Sequence, residues 1–237
     1  MTEASFIVPA LNEEEYIENS LKSLVTQKSC VDFELIVVDG DSHDNTPRLA
    51  KKYADKVLSV PEHGIWLARN RGASIAKGEI LIFIDADTAA PPNYLEAIHA
   101  ILQDEEICAL SCAFRFDRRS KPLKIVQDMA NNYLLTKSLL GQGELLGFNA
   151  AISRRAFSKT GGFPNAPLED AAMAKKLRHD GKLVYLPEPR VTTSARRIRR
   201  GGILNAIMYY ASLGLVTDFP VAPTRYLARY RKYIPVR

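Results

Sequence analysis

Ile80-Leu81-Ile82-Phe83-Ile84-Asp85-Ala86-Asp87 is the stretch that decides how this chain folds. Its apolar run is rich in β-branched residues and too short for a helix, as in a strand buried on both faces. Two carboxylates follow at once, spaced i and i+2. At the end of a buried strand they are costly unless something neutralises them. A hard divalent cation on diphosphate oxygens would do so. Magnesium is commonly held by one or two carboxylates plus substrate phosphates, and manganese accepts the same oxygen ligands. The triplet alone also reads as solvated loop aspartates capping the next helix.

Working outward, short apolar strands are expected at 5–9, 33–38 and 56–60. Between them lie helical patterns. Asn12 stands where an N-cap belongs, with Glu15 completing a capping box, and Tyr16, Ile17, Leu21, Leu24 and Val25 follow at helical spacing. Thr46-Pro47 reads as a cap plus a first-turn proline. A helix over 67–77 is stopped by Gly78, and Pro91-Pro92 opens another that reaches about residue 103. This alternation predicts βαβ units, a mainly parallel sheet, and ligands outside the carboxyl ends of the strands. Downstream, strands are expected at 107–116, 149–153 and 184–186, the last ending before Pro187. Helices are expected at 122–140 and 168–180. No repeat, low-complexity tract or linker interrupts the chain. The reading is one domain over 1–200 with a helical extension over 201–237.

The 237 residues are 46% hydrophobic and 25% charged, enough for a sizeable core in an ordinary globular protein. The net charge of +5 suits anionic partners, among them phosphate-bearing substrates, phospholipid headgroups and nucleic acid. Cys30, Cys108 and Cys112 lack the spacing of a disulfide framework or zinc site and fit a reducing cytoplasm. Neither a signal peptide nor a transmembrane helix is expected. His43 and His63 are isolated and are read as non-catalytic. No GxSxG, HExxH or GxxxxGK[ST] motif is present.

The polar oddities gather at the strand ends. Asn12 and Glu13 follow the first strand. Asp39 closes the second, where a carboxylate can accept the imide N–H of uracil or bind another base or the ribose. Gly40 lets the backbone turn beside a ligand. Asp44 and Thr46 are expected to tie the loop and cap the helix. Glu169-Asp170 opens a helix after Gly161-Gly162-Phe163-Pro164. A carboxylate there can deprotonate an acceptor hydroxyl, or simply favour the helix N-terminus. Arg196 and Arg197, with Arg199 and Arg200, offer guanidinium forks for phosphate oxygens, or form a solvated charge run.

Together these pieces resemble the inverting glycosyltransferases of family 2, with the GT-A fold. The resemblance runs in order through Ile7-Val8-Pro9-Ala10-Leu11-Asn12-Glu13, Val38-Asp39-Gly40-Asp41-Ser42-His43-Asp44-Asn45-Thr46, Ala68-Arg69-Asn70-Arg71-Gly72, Asp85-Ala86-Asp87 and Glu169-Asp170. It implies an α/β Rossmann-like sheet flanked by helices and a nucleotide-sugar donor, UDP- or GDP-linked. Pro9, Ala10, Asn12, Glu13 and Asp39 would surround base and ribose, and Arg69 would hold the donor or its loop. Asp85, Ala86 and Asp87 would meet ribose, diphosphate and Mn2+ or Mg2+, with Asp85 and Asp87 as metal ligands. Asp170 would be the base, supported by Glu169, and Arg196 and Arg197 would bind phosphate. The family's QxxRW motif is absent, which argues against a processive polysaccharide synthase.

The apolar segment 201–217, flanked by arginines, suits a helix lying at a membrane interface. It equally suits one packed on the core or in a homodimer. The 122–140 helix, with Leu123, Val126, Met129, Ala130, Tyr133, Leu134 and Leu140, can share either role. A lipid-linked acceptor and a peripheral position on the inner face of the plasma membrane follow from the first reading. A nucleotidyltransferase is the rival enzyme, but the first loop lacks the glycines and cation that hold a triphosphate. A non-catalytic nucleotide-sugar or nucleic-acid binder is the other rival. Stacking aromatics among the arginines are not evident, so nucleic acid is not expected as a partner.

Overall fold

A computed structural model describes residues 2–61, 64–166, 168–196 and 198. The expected extension at 201–237, and with it Arg197 and His63, lies outside the described residues.

The strands are β1 (Ala4–Ala10), β2 (Phe33–Asp39), β3 (Lys56–Ser59), β4 (Ile80–Ile84), β5 (Thr88–Ala89), β6 (Ile107–Phe116), β7 (Asn149–Ser153) and β8 (Lys182–Thr193). The helices are α1 (Ile17–Val25), α2 (Thr46–Ala50), α3 (Ile65–Ile75), α4 (Tyr94–Leu102), α5 (Lys121–Leu139), α6 (Arg154–Thr160) and α7 (Glu169–Leu177). Among the described residues one sheet runs β3-β2-β1-β4-β7-β6-β8-β5. Its first half, β3-β2-β1-β4, is parallel as expected. β7 is antiparallel to both β4 and β6, while β8 pairs parallel with β6 and antiparallel with β5. Thus β1, β2, β4, β6 and β8 end at one edge, where β5 and β7 begin. Every predicted strand-end carboxylate falls there.

Strand alternation builds two core layers. Phe6, Val8, Leu35, Val37, Ile82 and Ile84 face one side, with Leu21 and Leu24 of α1 and Leu95 and Ile98 of α4. Ile7, Ile36, Val38, Leu81 and Phe83 face the other, with Ala73 of α3 and Met173 and Leu177 of α7. Burial on both faces is what continuous apolar strands require. α3 lies especially close to the sheet. A Cβ at Gly72 would stand 2.4 Å from Ile7 Cγ2 and 3.1 Å from Val38 Cγ2. Gly72→Val should therefore cost about 1–3 kcal/mol through overpacking. An unchanged urea midpoint would show that helix and sheet are less intimate than this.

Several expectations need correction. Asn12 does not cap α1, which begins at Ile17 with Tyr16 in the cap position. Instead Asn12 adopts a left-handed backbone, φ 54°, in the loop before the helix. α3 starts at Ile65, two residues earlier than read, and α7 ends at Leu177, short of residue 180. β8 does not stop at Pro187. Its ladder with β6 steps from Cys112↔Leu186 to Phe114↔Val191, so Pro187 and Pro189 sit in an irregularity where no ladder N–H is needed. β5 and α6 had no counterpart in the sequence reading. α5 is apolar on both sides. Leu123 and Leu134 are buried, whereas Met129, Tyr133 and Leu140 are exposed.

Candidate functional site

The first two loops at the sheet edge are laced together by short polar side chains. Asn12 donates its N–H to Ser42 Oγ at 2.8 Å and accepts the His43 N–H on Oδ1 at 2.9 Å. Thr46 Oγ1 accepts from the Glu13 N–H at 2.7 Å, and Asp44 accepts from the Glu14 and Thr46 N–H groups. Asp44 and Thr46 thus tie the loop, as expected, but Thr46 does not cap α2: it is the helix's first residue, and Asn45 stands in the cap position. The side chain of Asn12 is spent on the same task. Pro9 and Ala10 are buried at the end of β1, and Ala10 pairs in register with Asp39. Asp39 is buried. Its Oδ2 accepts the Ser42 N–H, but among the described residues its Oδ1 has no hydrogen-bond partner. A buried acceptor left open is costly, and a ligand donor would satisfy it.

Arg69 of α3 is 1% exposed and joins the two sides of the edge. Its Nη1 donates to Glu169 Oε1 at 2.5 Å, its Nη2 to Asp85 Oδ1 at 3.1 Å, and its guanidinium lies 5.2 Å from the Phe163 ring centre. Burial acts to lower the Arg69 pKa. Asp85, Glu169 and Asp170 outweigh that and hold it charged. Burial raises the pKa of Glu169, opposed by Arg69 and reinforced by Asp170. Asp170 is half-buried at the start of α7, accepting the Gly147 N–H on Oδ2 at 3.1 Å and the Ala171 N–H on Oδ1 at 2.8 Å. A carboxylate with one backbone bond per oxygen keeps lone pairs for a proton.

Arg196, just past β8, makes the second bridge. It forks onto both oxygens of Glu13, reaches Asp87 Oδ2 at 3.1 Å and lies 4.8 Å from the Tyr16 ring centre. Burial raises the Glu13 pKa against the pull of Arg196. The Arg196 pKa, which burial would lower, is raised by Glu13 and Asp87. Ala86 is buried between the two aspartates. The counter-charge expected from a cation is therefore partly supplied by two arginines. It is not complete. Glu13, Asp85, Asp87, Glu169 and Asp170, set against Arg69 and Arg196, leave three negative charges when all are ionised. Among the described residues no three His, Cys, Asp or Glu side chains are grouped to hold a metal. A divalent ion at Asp85 and Asp87 would complete its shell with phosphate and water oxygens, which suits this donor set.

Gly147 was missed by sequence reasoning. A Cβ there would stand 2.8 Å from Arg69 Nη2, and its N–H anchors Asp170. The available signal was a glycine between apolar residues just before a strand, the usual mark of close backbone approach.

The family model described as Glycosyl transferase family 2 matches residues 5–161. The chain is similar to the 4,4'-diaponeurosporenoate glycosyltransferase of Staphylococcus haemolyticus, 39% identical over 42% of this chain and 27% of that protein. It is also similar to the dolichol-phosphate mannosyltransferase of Pyrococcus furiosus, 33% identical over 44% of this chain and 31% of that protein. The chain thus spans about a third or less of the length of these curated relatives. Among solved structures it resembles the mannosyltransferase PcManGT from Pyrobaculum calidifontis in complex with GDP-Man and Mn2+. The TM-score is 0.70 at 26% identity, covering 84% of this chain and 61% of that one. The fold is accordingly the GT-A type.

Proposed function

Because this chain belongs to glycosyl transferase family 2, we propose that it moves a sugar from a nucleoside-diphosphate donor to an acceptor hydroxyl or lipid phosphate, with inversion. The observation that carries this reading is Arg69, which fixes Asp85 and Glu169 on one guanidinium, with Asp170 beside them. Metal-side and acceptor-side carboxylates are thereby held at one edge.

The residues divide the work. The open oxygen of Asp39 accepts a donor group of the base or ribose, walled by Pro9 and Ala10. Asp87 and Asp85 would hold a divalent cation, Mn2+ or Mg2+, whose contribution is to offset the charge that grows on the leaving diphosphate. Arg196 exchanges its hold on Asp87 for a phosphate oxygen. Asp170 takes the hydroxyl proton as the acceptor oxygen forms its bond to the anomeric carbon. The bond to the diphosphate breaks on the opposite face, so configuration inverts. The Pyrobaculum relative binds GDP-Man with Mn2+, and the two curated relatives are named for lipid-like acceptors. The rival nucleotidyltransferase reading has no observation in its favour.

A thermal-shift panel of UDP-, GDP-, dTDP- and CDP-sugars, with and without Mn2+, tests the donor. At about a hundredfold excess over Kd the correct donor stabilises by about 2.7 kcal/mol, which raises Tm by roughly 5–10 °C at this size. Asp87→Ala should erase the metal-dependent part of that rise. An identical response in the variant would remove Asp87 from the metal site.

A further inference from the structure

α5 buries Leu123 and Leu134 against the protein yet also shows large apolar side chains to the outside. Toward the protein it also turns polar groups. Gln127 Oε1 accepts the Phe116 N–H, Asn131 Oδ1 accepts the Phe114 N–H and the Tyr185 hydroxyl, and buried Lys137 pairs with Glu144 at 2.8 Å. Outward it presents Ile125, Met129, Tyr133, Leu139 and Leu140, between 49% and 79% exposed. Ile125, Met129 and Tyr133 recur at i, i+4 and i+8 and so share one side. With the leucines, and with exposed Asn132 and Thr136 between them, they span about 22 Å at 1.5 Å per residue. A helix that is apolar on its outer side as well as its inner one offers a surface for a second apolar phase.

Its charges say which phase. Asp128 is the single acid of α5, and it is paired with Lys124. Around the N-terminal end of the row stand the exposed cations Arg115, Arg118, Arg119, Lys121 and Lys124, with exposed Asp117 among them. A second copy docked by two-fold symmetry would present the same net positive charge, with Asp117 and Asp128 offsetting two of the five cations. An anionic lipid headgroup layer complements it. Long cationic side chains can reach that layer while the apolar row enters the acyl boundary.

The position matters as much as the chemistry. Leu123, in the first turn of α5, packs with Ala195 and Ile198, on either side of Arg196 in sequence. Beyond the other end the chain runs through 140–146 to Gly147, whose N–H holds Asp170. α5 is therefore tied at one end to the donor side and at the other to the acceptor side.

We infer that the exposed face of α5 is a docking surface for an anionic phospholipid membrane, which sets the reaction edge beside the lipid plane. Its purpose rests on the reading of a lipid-borne acceptor; its test does not. The full chain is sedimented with phosphatidylcholine vesicles, with and without phosphatidylglycerol, at low and high salt. Binding should appear on the phosphatidylglycerol vesicles and weaken with salt. The double change Ile125→Glu/Met129→Glu, on exposed positions, should lower the partition coefficient at least about tenfold, with Tm and the donor-induced shift unchanged. Lys121→Glu/Lys124→Glu should lower binding to the same vesicles. The inference is overturned if the wild-type chain does not sediment, or if the Ile125/Met129 variant sediments like the wild type. A dimer in light scattering that the same variant dissociates also overturns it, because the face then belongs to a second copy. Failure of the donor panel with intact vesicle binding would count against the transferase reading alone.

Discussion

Asp170→Asn is expected to leave fold and donor affinity intact while lowering kcat by about 10²- to 10⁴-fold, the usual worth of a positioned base. The expectation follows from the unequal situations of two neighbouring carboxylates. Glu169 is committed to Arg69 at 2.5 Å and sits in a buried ion pair. It can orient, but giving it a proton would break the pair. Among the described residues Asp170 is held by two backbone N–H groups, one from Gly147 and one from its own helix. An asparagine can keep one of those bonds and cannot take a proton. Donor binding depends on groups elsewhere along the edge, so the donor-induced Tm rise should match that of the wild type. The loss should appear in single-turnover transfer to a hydroxyl acceptor. A rate within threefold of the wild type would remove the base from the mechanism. A phosphate acceptor is already ionised and needs no base, so transfer to such an acceptor should be lowered far less by the same change.

Much of this site was legible in the sequence, for reasons that particular residues show. The run from Ile80 to Ile84 could only be a buried strand, and βαβ order then forced Asp39, Asp85 and Asp87 to one edge. Other features were hidden by the same physics. Asn12 looks like a helix cap because asparagine favours local backbone bonds, yet that preference equally suits a left-handed loop residue. Pro187 reads as the end of a strand unless a bulge absorbs it. The partners of Arg196 could not be foreseen, because Glu13 lies 183 residues away in the chain. Spacing alone recognises which residues of α5 share a face. It cannot say which face meets the protein when both carry apolar groups.

Removing Arg69 should damage the protein more than any other single change at this edge. Arg69→Met keeps much of the stem and deletes the guanidinium. Asp85 and Glu169 then lose their shared partner, and Glu169 is left as a buried charge without compensation. Breaking a buried pair in this way costs about 3–5 kcal/mol, or a fall in Tm of roughly 10 °C for a chain of this size. The loss should depend on pH, and the sign follows from Glu169. Its folded pKa is already raised by burial, and only Arg69 and backbone bonding oppose that rise. Without the arginine it rises further above its unfolded value. The folded state then holds a proton that the unfolded state releases, so stability falls as pH rises between the two values. The variant should therefore lie closer to the wild type at pH 5 than at pH 8. Arg69→Lys restores one positive charge but not the fork, and should recover part of the loss. Glu169→Gln combined with Arg69→Met removes both charges and should be more stable than Arg69→Met alone. Equal Tm values for wild type and Arg69→Met at pH 8 would mean that the carboxylates find solvent or each other, and that Arg69 does not hold the two sides of the site together.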